Sequence, residues 1–351
     1  MTGLRAVFAR GVFGRLTSGL VAATAMLLPV SMAHAGDALD IERSFDSTFG
    51  TELRTPPSAS FDLPFPARIA ALANASQGRI GVAALDLTSG RTVDVLGNQP
   101  FPMASTSKIA IAATFLEGVD KGRWSLSSEF PLMVPVKSAP FSSTVAPVRP
   151  GEYLTAARLI DLMITRSSNT ATDALLHVVG GPAAVNDWAR RAGLSSFHIN
   201  RDIATLVRDD GEIDPALIID PRDSATPMAM VQLLQGLHQG KWLSAQGRTV
   251  IFSAMERCVT GTRRIPALLP TEARVAHKTG SLNNTSSDIG IIRTPDGRAM
   301  AVAIYVTGQG GKANREARIA QIARAIYDGY ALEDEPYRLS AAQPERASFA
   351  R

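Results

Sequence analysis

The chain has 351 residues, 45% of them hydrophobic and 19% charged, with a formal net charge of +4 at pH 7. This length can hold one large domain or two closely joined ones, and the apolar content suffices for a packed core. A single cysteine, Cys258, excludes an intramolecular disulfide, so apolar packing must hold the fold together. We expect Cys258 to be a buried small hydrophobic residue.

The first 35 residues have the features of a secretory signal peptide. Arg5, Arg10 and Arg15 form a positive region, and the apolar stretch over 20–30 is too short for a comfortable membrane span. An A-x-A cleavage site ends at Ala35. We therefore predict cleavage after Ala35 and a periplasmic or secreted protein with no stable membrane anchor. An uncleaved anchor is the alternative.

The arginines of the predicted leader also account for most of the positive net charge of the chain. Without its three arginines the net charge falls from +4 to about +1 by the same count. Nothing in the remaining sequence has the clustered excess of Lys and Arg that nucleic acid requires, so we expect no nucleic-acid partner.

Periodicity predicts the elements of the remaining chain in order. A polar, then Pro-rich lead-in covers 36–64, a helix 67–75, and a hairpin 79–87 with 91–96. A mostly helical stretch with loops runs from Ser105 to about 240. Helices are predicted over 154–164, 170–179, 182–192 and 227–239 within it, and over 245–255 just after it. Strands return over 274–278, 287–293 and 298–307, followed by a helix whose apolar stripe spans 319–330, and a disordered tail at 336–351.

These elements predict an α/β (α+β) fold. The strands at the two ends should pair into one antiparallel sheet flanked by helices. The last strand is apolar on both faces, so both of its faces should be covered. We expect a sheet-and-helix subdomain from 65–103 plus 256–335, with an all-helical subdomain from 104–255 docked against it.

Lysine usage singles out two short motifs. The chain has 30 Arg but only six Lys, and two of these are Lys108, in Ser105-Thr106-Ser107-Lys108, and Lys278, in Lys278-Thr279-Gly280. A lysine amine can lose its proton when desolvated, which a guanidinium cannot. Between the two motifs lies Ser167-Ser168-Asn169. Taken separately, they also fit an N-capping serine, a polar turn and a strand end. In this order they are the motif set of the penicillin-recognising serine enzymes.

The chemistry expected of these residues is acyl transfer. At a helix start, Ser105 has backbone N–H groups for a developing oxyanion. Lys108, three residues on, shares its face and can be the base that activates it. Ser167 can pass the proton to a leaving nitrogen.

Lys278 and Thr279 present donors for a carboxylate. The backbone N–H of Ser281 would be the second oxyanion donor, and Asn169 a contact to a substrate amide.

Over roughly residues 67–332 the chain resembles class A β-lactamases and their related serine hydrolases. The segments over 163–171, 179–181, 222–227 and 287–291 support this resemblance beyond the three motifs. It implies an exported serine hydrolase that opens β-lactam rings through an acyl-enzyme on Ser105. The substrate would be a small β-lactam or peptidoglycan-like molecule, and the protein a monomer that needs no cofactor or metal. It also implies that Arg201 pairs with Asp223 to close a loop over the site.

Two departures from the family leave alternatives open. Ser168 stands where the family usually has Asp, and no Glu follows Arg201 in register for deacylation. The loop is also longer. Counting back from Asp223 instead places Asp210 or Glu212 near the expected position of the deacylating residue. Either could be the base that activates water, or both could be solvated loop charges. We favour solvated loop charges. A D,D-peptidase or esterase, or a binding protein that acylates and stops, therefore remains the alternative function.

Two further basic residues, Arg264 and His277, lie near the last motif in the sequence. The family often places an arginine before Lys-Thr-Gly when the following strand lacks one. Position 287 is Ser here, and Arg263-Arg264 occupy the earlier segment. We predict that Arg264 helps hold the substrate carboxylate; a surface arginine is the alternative. His277 is interpreted as a strand residue, not a metal ligand.

Overall fold

The computed structural model describes residues 63–332. The predicted signal peptide, nearly all of the lead-in at 36–64 and the tail at 336–351 lie outside this range. The helices are α1 Phe65–Leu72, α2 Lys108–Asp120, α3 Ala156–Thr165, α4 Asn169–Val179, α5 Gly181–Arg191, α6 Ile203–Arg208, α7 Pro227–Gln239, α8 Ala245–Glu256 and α9 Lys312–Leu332. The strands are β1 Ile80–Asp86, β2 Thr92–Val95, β3 Phe101–Pro102, β4 Glu129–Pro135, β5 Val148–Thr155, β6 Phe197–His198, β7 Ser224–Ala225, β8 Arg274–Leu282, β9 Thr285–Arg293 and β10 Ala299–Thr307. Two 3₁₀ turns, Ala104–Ser107 and Ile265–Leu268, complete the described elements.

One five-stranded sheet joins the two ends of the described chain. Its order is β2-β1-β10-β9-β8, and every neighbouring pair is antiparallel. In the register of β1 with β10, Ile80 lies opposite Val306. The predicted antiparallel sheet flanked by helices is confirmed. The order leaves β8 as an edge strand with one side free.

Strand β10 shows why the sheet has helices on both faces. All nine of its residues are buried. Because side chains alternate across a strand, Met300, Val302 and Ile304 lie in the core that includes residues of α1 and α9. Ala303 and Tyr305 lie in the other core, formed with the helical part of the chain. The prediction that this strand is covered on both sides is confirmed.

The helical part surrounds α2. Its residues from Lys108 to Ala113 are all buried, as are Phe115 and Leu116. The apolar side chains among them belong to a core shared with α3, α4, α7 and α8. Such burial from all sides, not intrinsic helix propensity, holds a short helix of this kind in place.

The stretch 105–240 is mostly helical, as predicted, but it also contains the short strands β6 and β7 and one unpredicted hairpin. Strands β4 and β5 pair as a separate two-stranded sheet, with a register shift between Pro131 and Met133. Most of their residues are half-buried or exposed. Prolines interrupt the alternation of apolar and polar residues that would mark them as strands. The helix predicted to begin at 154 starts instead at Ala156, capped by the Thr155 side chain.

Among the described residues, no helix is both long and apolar enough to cross a membrane.

Candidate active site

Ser105 lies in a 3₁₀ turn, not at the first residue of an α-helix as the sequence predicted. The turn covers Ala104–Ser107, and α2 begins at Lys108. In 3₁₀ geometry, side chains three residues apart lie above one another, so Ser105 and Lys108 still share a face. Ser105 is partly exposed, whereas Lys108 is fully buried. The predicted nucleophile is thus accessible to solvent, while its predicted base is shielded from water.

The backbone is unusual at two points of the site. Ala104 has φ +48° and Ser167 has φ +57°, in the left-handed region that residues with a Cβ seldom occupy. Such conformations persist only where surrounding contacts impose them, and they cluster at active sites. One precedes Ser105 directly, and the other carries the predicted proton shuttle.

Lys108 reaches across to the Ser-x-Asn motif. Its Nζ donates to the Ser167 carbonyl at 2.8 Å, to Ser167 Oγ at 3.2 Å and to Asn169 Oδ1 at 2.8 Å. Ser168 does not join this cluster, because its side chain caps α4 by accepting from Ala171 N. That capping role needs no charge, which accounts for a serine at this position.

Lys278 approaches Ser167 from the other side. Its Nζ donates to Ser167 Oγ at 3.0 Å and to the Thr279 carbonyl at 2.9 Å. The Ser167 hydroxyl oxygen therefore lies between two lysine amines. The structure brings together Lys108, Ser167 and Lys278, which are far apart in the chain.

Burial lowers the pKa of both lysines. Burial lowers the pKa of Lys108 well below its usual value, and the nearby Lys278 charge lowers it further. Burial also lowers the pKa of Lys278, to about 8. At neutral pH, Lys278 therefore remains mostly cationic, while Lys108 can be the neutral amine that accepts a proton.

The third motif lies along the free edge of β8. Gly280 approaches the segment that carries the nucleophile so closely that a Cβ there would lie 2.6 Å from the Met103 carbonyl oxygen. Glycine is therefore required for β8 to lie beside the 3₁₀ turn. The exposed Ser281 follows Gly280 directly on this strand, which lies beside the turn that carries Ser105. An edge strand has backbone N–H groups available for an oxyanion.

Two threonine hydroxyls form a hydrogen bond between β8 and the segment that precedes it. Thr260 Oγ1 lies 2.6 Å from Thr279 Oγ1, and Cys258 Sγ lies 3.2 Å from Thr260 Oγ1. The prediction that Cys258 is a buried hydrophobic residue is wrong, since it is partly exposed and its thiol lies among polar atoms. Thr260 was not predicted, because no local pattern marks a contact made across 19 positions.

Arg264 lies beside the site but beneath the strand. Its guanidinium is only 2% exposed, so it is not a surface arginine. It donates to the carbonyls of Gly280 and Ser287, each at 2.8 Å, and to Ser281 Oγ at 2.7 Å. Its remaining donors go to Glu316. The guanidinium thus contacts the predicted carboxylate site through Ser281.

His277 lies in β8, as predicted, and its Nδ1 lies 2.9 Å from Asp288 Oδ2. Within the described range, no three or more His, Cys, Asp and Glu side chains are placed to hold a metal ion.

The loop after β6 is closed by the predicted ion pair. Arg201 Nε lies 2.7 Å from Asp223 Oδ2, which confirms that prediction. Asp223 also accepts the backbone N–H groups of Asn200 and Arg201. The short helix α6 inside this loop was not predicted.

The two candidate deacylation bases each bind another group. Asp210 accepts the backbone N–H of Asn283, at 2.9 Å to Oδ2. Glu212 pairs with Arg222 at 2.9 Å. Both acidic residues are exposed. No hydrogen bond between described residues joins either of them to Ser105, Lys108 or Ser167, which favours the interpretation as solvated loop charges.

Asp173 is a buried carboxyl that the sequence did not reveal as part of the site. It lies on α4 and accepts the first backbone N–H groups of α6, from Ile203 at 2.7 Å and Ala204 at 2.8 Å. Burial raises its pKa to about 6. It also acts electrostatically on Lys108, whose pKa it raises. Asp173 thus links α4 to the start of α6 and acts electrostatically on Lys108.

The pKa of Asp173 predicts a pH-dependent stability. A carboxyl whose pKa is higher in the folded than in the unfolded protein holds its proton more tightly when folded. The folded state therefore loses stability as the pH rises from about 4 to about 6, and the loss persists above that range. Relative to Asp173→Asn, the free energy of unfolding of the wild type should fall by roughly 2 kcal/mol between pH 4.5 and 7.5. Urea unfolding of both proteins at the two pH values measures this, and a difference that does not change with pH would contradict it.

The sequence of this chain is similar to sequences of known β-lactamases. The family model described as "Beta-lactamase enzyme family" matches residues 64–330. β-Lactamase CTX-M-8 of Citrobacter amalonaticus is 33% identical over 268 residues, which cover 75% of this chain and 88% of the relative. The extended-spectrum β-lactamase PER-1 of Pseudomonas aeruginosa is 28% identical over 259 residues, or 70% and 79% of the two chains.

Solved structures agree. A β-lactamase from Chitinophaga pinensis aligns with a TM-score of 0.66 at 29% identity, covering 76% of this chain and 99% of the other. An ancestral Gram-negative class A β-lactamase aligns with a TM-score of 0.65 at 33% identity, covering 75% and 99%. With the buried lysine pair around Ser167 and a sheet edge beside Ser105, the chain belongs to the β-lactamase enzyme family, among the class A serine enzymes.

Proposed function

We propose that this protein is a serine hydrolase that opens β-lactam rings through an acyl-enzyme on Ser105. The observation that carries the proposal is the placement of Ser167 Oγ between Lys108 and Lys278, 3.2 and 3.0 Å from the two amines. The relatives at 28–33% identity are themselves named β-lactamases.

In the proposed acylation, Lys108 accepts the proton of the Ser105 hydroxyl as its oxygen bonds to the lactam carbonyl carbon. The backbone N–H groups of Ser105 and Ser281 stabilise the oxyanion. The lactam C–N bond then breaks, and the nitrogen takes the proton of the Ser167 hydroxyl, which Lys108 replaces. The product is an ester on Ser105, which water must hydrolyse to free the enzyme.

The same groups bind the substrate. Lys278, cationic at neutral pH, and the hydroxyls of Thr279 and Ser281 form the carboxylate end of the site. At the other end, Asn169 keeps its side-chain N–H₂ for a substrate amide, because its Oδ1 accepts from Lys108. The ligand is a small β-lactam or a related peptidoglycan-like molecule. We further propose that the mature protein is exported, on the basis of the leader at 1–35, and that it acts as a monomer.

Turnover separates this proposal from its alternatives. The protein should open one equivalent of a chromogenic cephalosporin per enzyme in a rapid acylation phase. Hydrolysis should then continue until many equivalents of substrate per enzyme have been consumed. A binding protein would give that first equivalent and stop. A D,D-peptidase or esterase would cleave a D-alanyl-D-alanine peptide or a simple ester faster than the cephalosporin.

Arg264→Ala is expected to weaken binding of substrates that carry a carboxylate. The variant removes the guanidinium that donates to Ser281 Oγ. A hydrogen bond to a charged group contributes about 1.5–3 kcal/mol, so KM for acylation by a penicillin should rise roughly tenfold or more. An ester without a carboxylate should show little change. Equal effects on both substrates would reject the role.

A further inference from the structure

A cleft lies between the loop over 201–223 and the end of β8. It contains about 490 Å³ of empty space, part of which is open to solvent. The loop lines one side, and Leu282, Asn283 and Thr285, at the turn from β8 to β9, line the other. Clefts of this volume hold small ligands. The loop is the segment whose length departs from the family, so its side chains can give this chain a preference of its own.

The cleft has more negative than positive charge. It is lined by five carboxylates, those of Asp209, Asp210, Glu212, Asp220 and Asp223. Arg201 and Arg208 each pair with one of them, and Arg222 is shared by two. Five carboxylates thus face three guanidiniums, which leaves two negative charges in excess. Asp210 pairs with no guanidinium of the described chain.

The carboxylates of Asp210 and Glu212 have room for a further partner. The Asp210 carboxylate accepts a single backbone N–H, that of Asn283. Glu212 accepts from Arg222 through Oε2, and within the described chain its Oε1 has no hydrogen-bond partner. A carboxylate has about four acceptor positions, so both groups can accept from a ligand. Both residues are exposed, so a ligand can reach them from solvent.

Thr285 provides an observation that is independent of charge. It is only 1% exposed, it lines the cleft, and its Oγ1 has no hydrogen-bond partner among the described residues. Buried hydroxyls in folded proteins are nearly always hydrogen-bonded. A donor bound in the cleft would supply the partner that this oxygen lacks.

The acceptors in the cleft suit an organic ammonium group better than a metal ion. Within the described range, no three or more His, Cys, Asp and Glu side chains are placed to hold a metal ion. A primary ammonium group has three N–H donors on a compact positive charge. Two carboxylates and one hydroxyl line the cleft as acceptors for these donors.

The cleft follows the predicted oxyanion donor along the chain. Ser281 is followed by Leu282 and Asn283, which line the cleft. A strand rises about 3.3 Å per residue, so Asn283 lies about 7 Å beyond Ser281. The carboxylate end of the site, at Lys278 and Thr279, lies in the opposite direction along β8. The other end of a substrate bound at Ser281 therefore extends toward the cleft.

We propose that Asp210, Glu212 and Thr285 form a cation subsite that recognises a primary ammonium group on the acyl side chain of the substrate. The protein therefore prefers β-lactams whose side chains carry such a group at this distance from the ring. This inference rests on the proposed function, since it assumes that the substrate acylates Ser105.

Two penicillins of equal length test the preference. One carries a 6-aminohexanoyl side chain, whose extended length matches the distance from Ser281 to Asn283. The other carries a heptanoyl side chain, in which a methyl group replaces the ammonium group. At pH 7 and low ionic strength, kcat/KM for acylation of the wild type should be roughly fivefold higher for the amine, because exposed ion pairs contribute modestly. The ratio of the two values should fall toward one in about 1 M salt, which screens the charges.

The double variant Asp210→Asn/Glu212→Gln removes both charges. It keeps the oxygens that accept from Asn283 N and from Arg222, so the contacts of the loop can persist. Its ratio should be about one at low ionic strength. Both penicillins are measured on the same preparation, so a general loss of activity cancels in the ratio. If the variant does not fold, the salt dependence of the wild type decides.

Asp214→Asn is the matched control. Asp214 lies in the same loop but does not line the cleft, and its Oδ1 accepts from Ala216 N and from Asn284 Nδ2. Asparagine retains that oxygen, so the ratio should stay within twofold of the wild-type value.

Labelling of Ser105 by each penicillin assesses the proposed function separately. If both penicillins label the wild type with a ratio near one, or with a ratio that neither salt nor the double variant lowers, this inference alone is overturned. Failure of both penicillins to label the wild type overturns the proposed function and this inference with it.

Discussion

Ser105→Ala is expected to reduce kcat/KM for β-lactam ring opening, which reports the acylation step, on the order of a million-fold, as removal of the nucleophile does in serine proteases. Without the hydroxyl no ester forms, and Lys108 has no group to activate. The rate of chromogenic cephalosporin hydrolysis measures this effect.

Ser107→Ala is the matched control, because Ser107 lies in the same 3₁₀ turn and two residues along. Its hydroxyl is buried and donates to the Ala104 carbonyl at 2.8 Å. This variant should keep most of its activity. Hydrolysis that survives in Ser105→Ala but is lost in Ser107→Ala would show that the wrong serine has been assigned.

The second large effect is expected in deacylation. Acylation requires Lys108 and Ser167, whereas hydrolysis of the ester requires a base for water. Each carboxylate between Arg201 and Asp223 has another partner: Asp202 caps α6, Asp209 pairs with Arg208, Asp210 binds Asn283 N, Glu212 and Asp220 pair with Arg222, and Asp214 binds Ala216 N. A missing general base typically lowers a rate by 10²–10⁴-fold, so the acyl-enzyme should accumulate and release should limit kcat.

Asp210→Ala and Glu212→Ala test this account of deacylation. Both residues are exposed, and each is held by a partner other than Ser105, Lys108 or Ser167. Each variant should therefore release product at the slow wild-type rate. Single-turnover kinetics separate acylation from release. Rapid release by the wild type, together with a trapped adduct in one variant, would show that the loop supplies the base after all.

Strong periodicity explains which parts of the fold were predictable. Helix α7 matches its predicted bounds, and β10 could be recognised by apolar residues on both faces. The hairpin of β4 and β5 escaped prediction because prolines and a register shift break its alternation. The prediction of an α-helix starting at Ser105 failed by one turn, because sequence periodicity does not distinguish a 3₁₀ turn from the α-helix that continues it.

The site was predictable where chemistry required particular residues in short motifs. Ser167 and Lys278 are 111 positions apart, and only their motifs indicated that they meet. The groups behind them carry no such pattern. Asp173 binds α6 across 30 positions, and Glu316 binds Arg264 across 52. An acidic residue on a helix is usually solvated, so only the folded chain identifies these two as buried partners.

The most direct test of covalent catalysis by Ser105 is intact-protein mass spectrometry of the purified protein mixed with a fluorescent penicillin. The account predicts one adduct with the mass of one intact penicillin, located by peptide mapping to the segment containing Ser105. The adduct should form within the acylation phase, decay slowly, and be absent from Ser105→Ala. An adduct that persists in Ser105→Ala, or one that maps to another residue, would contradict the account.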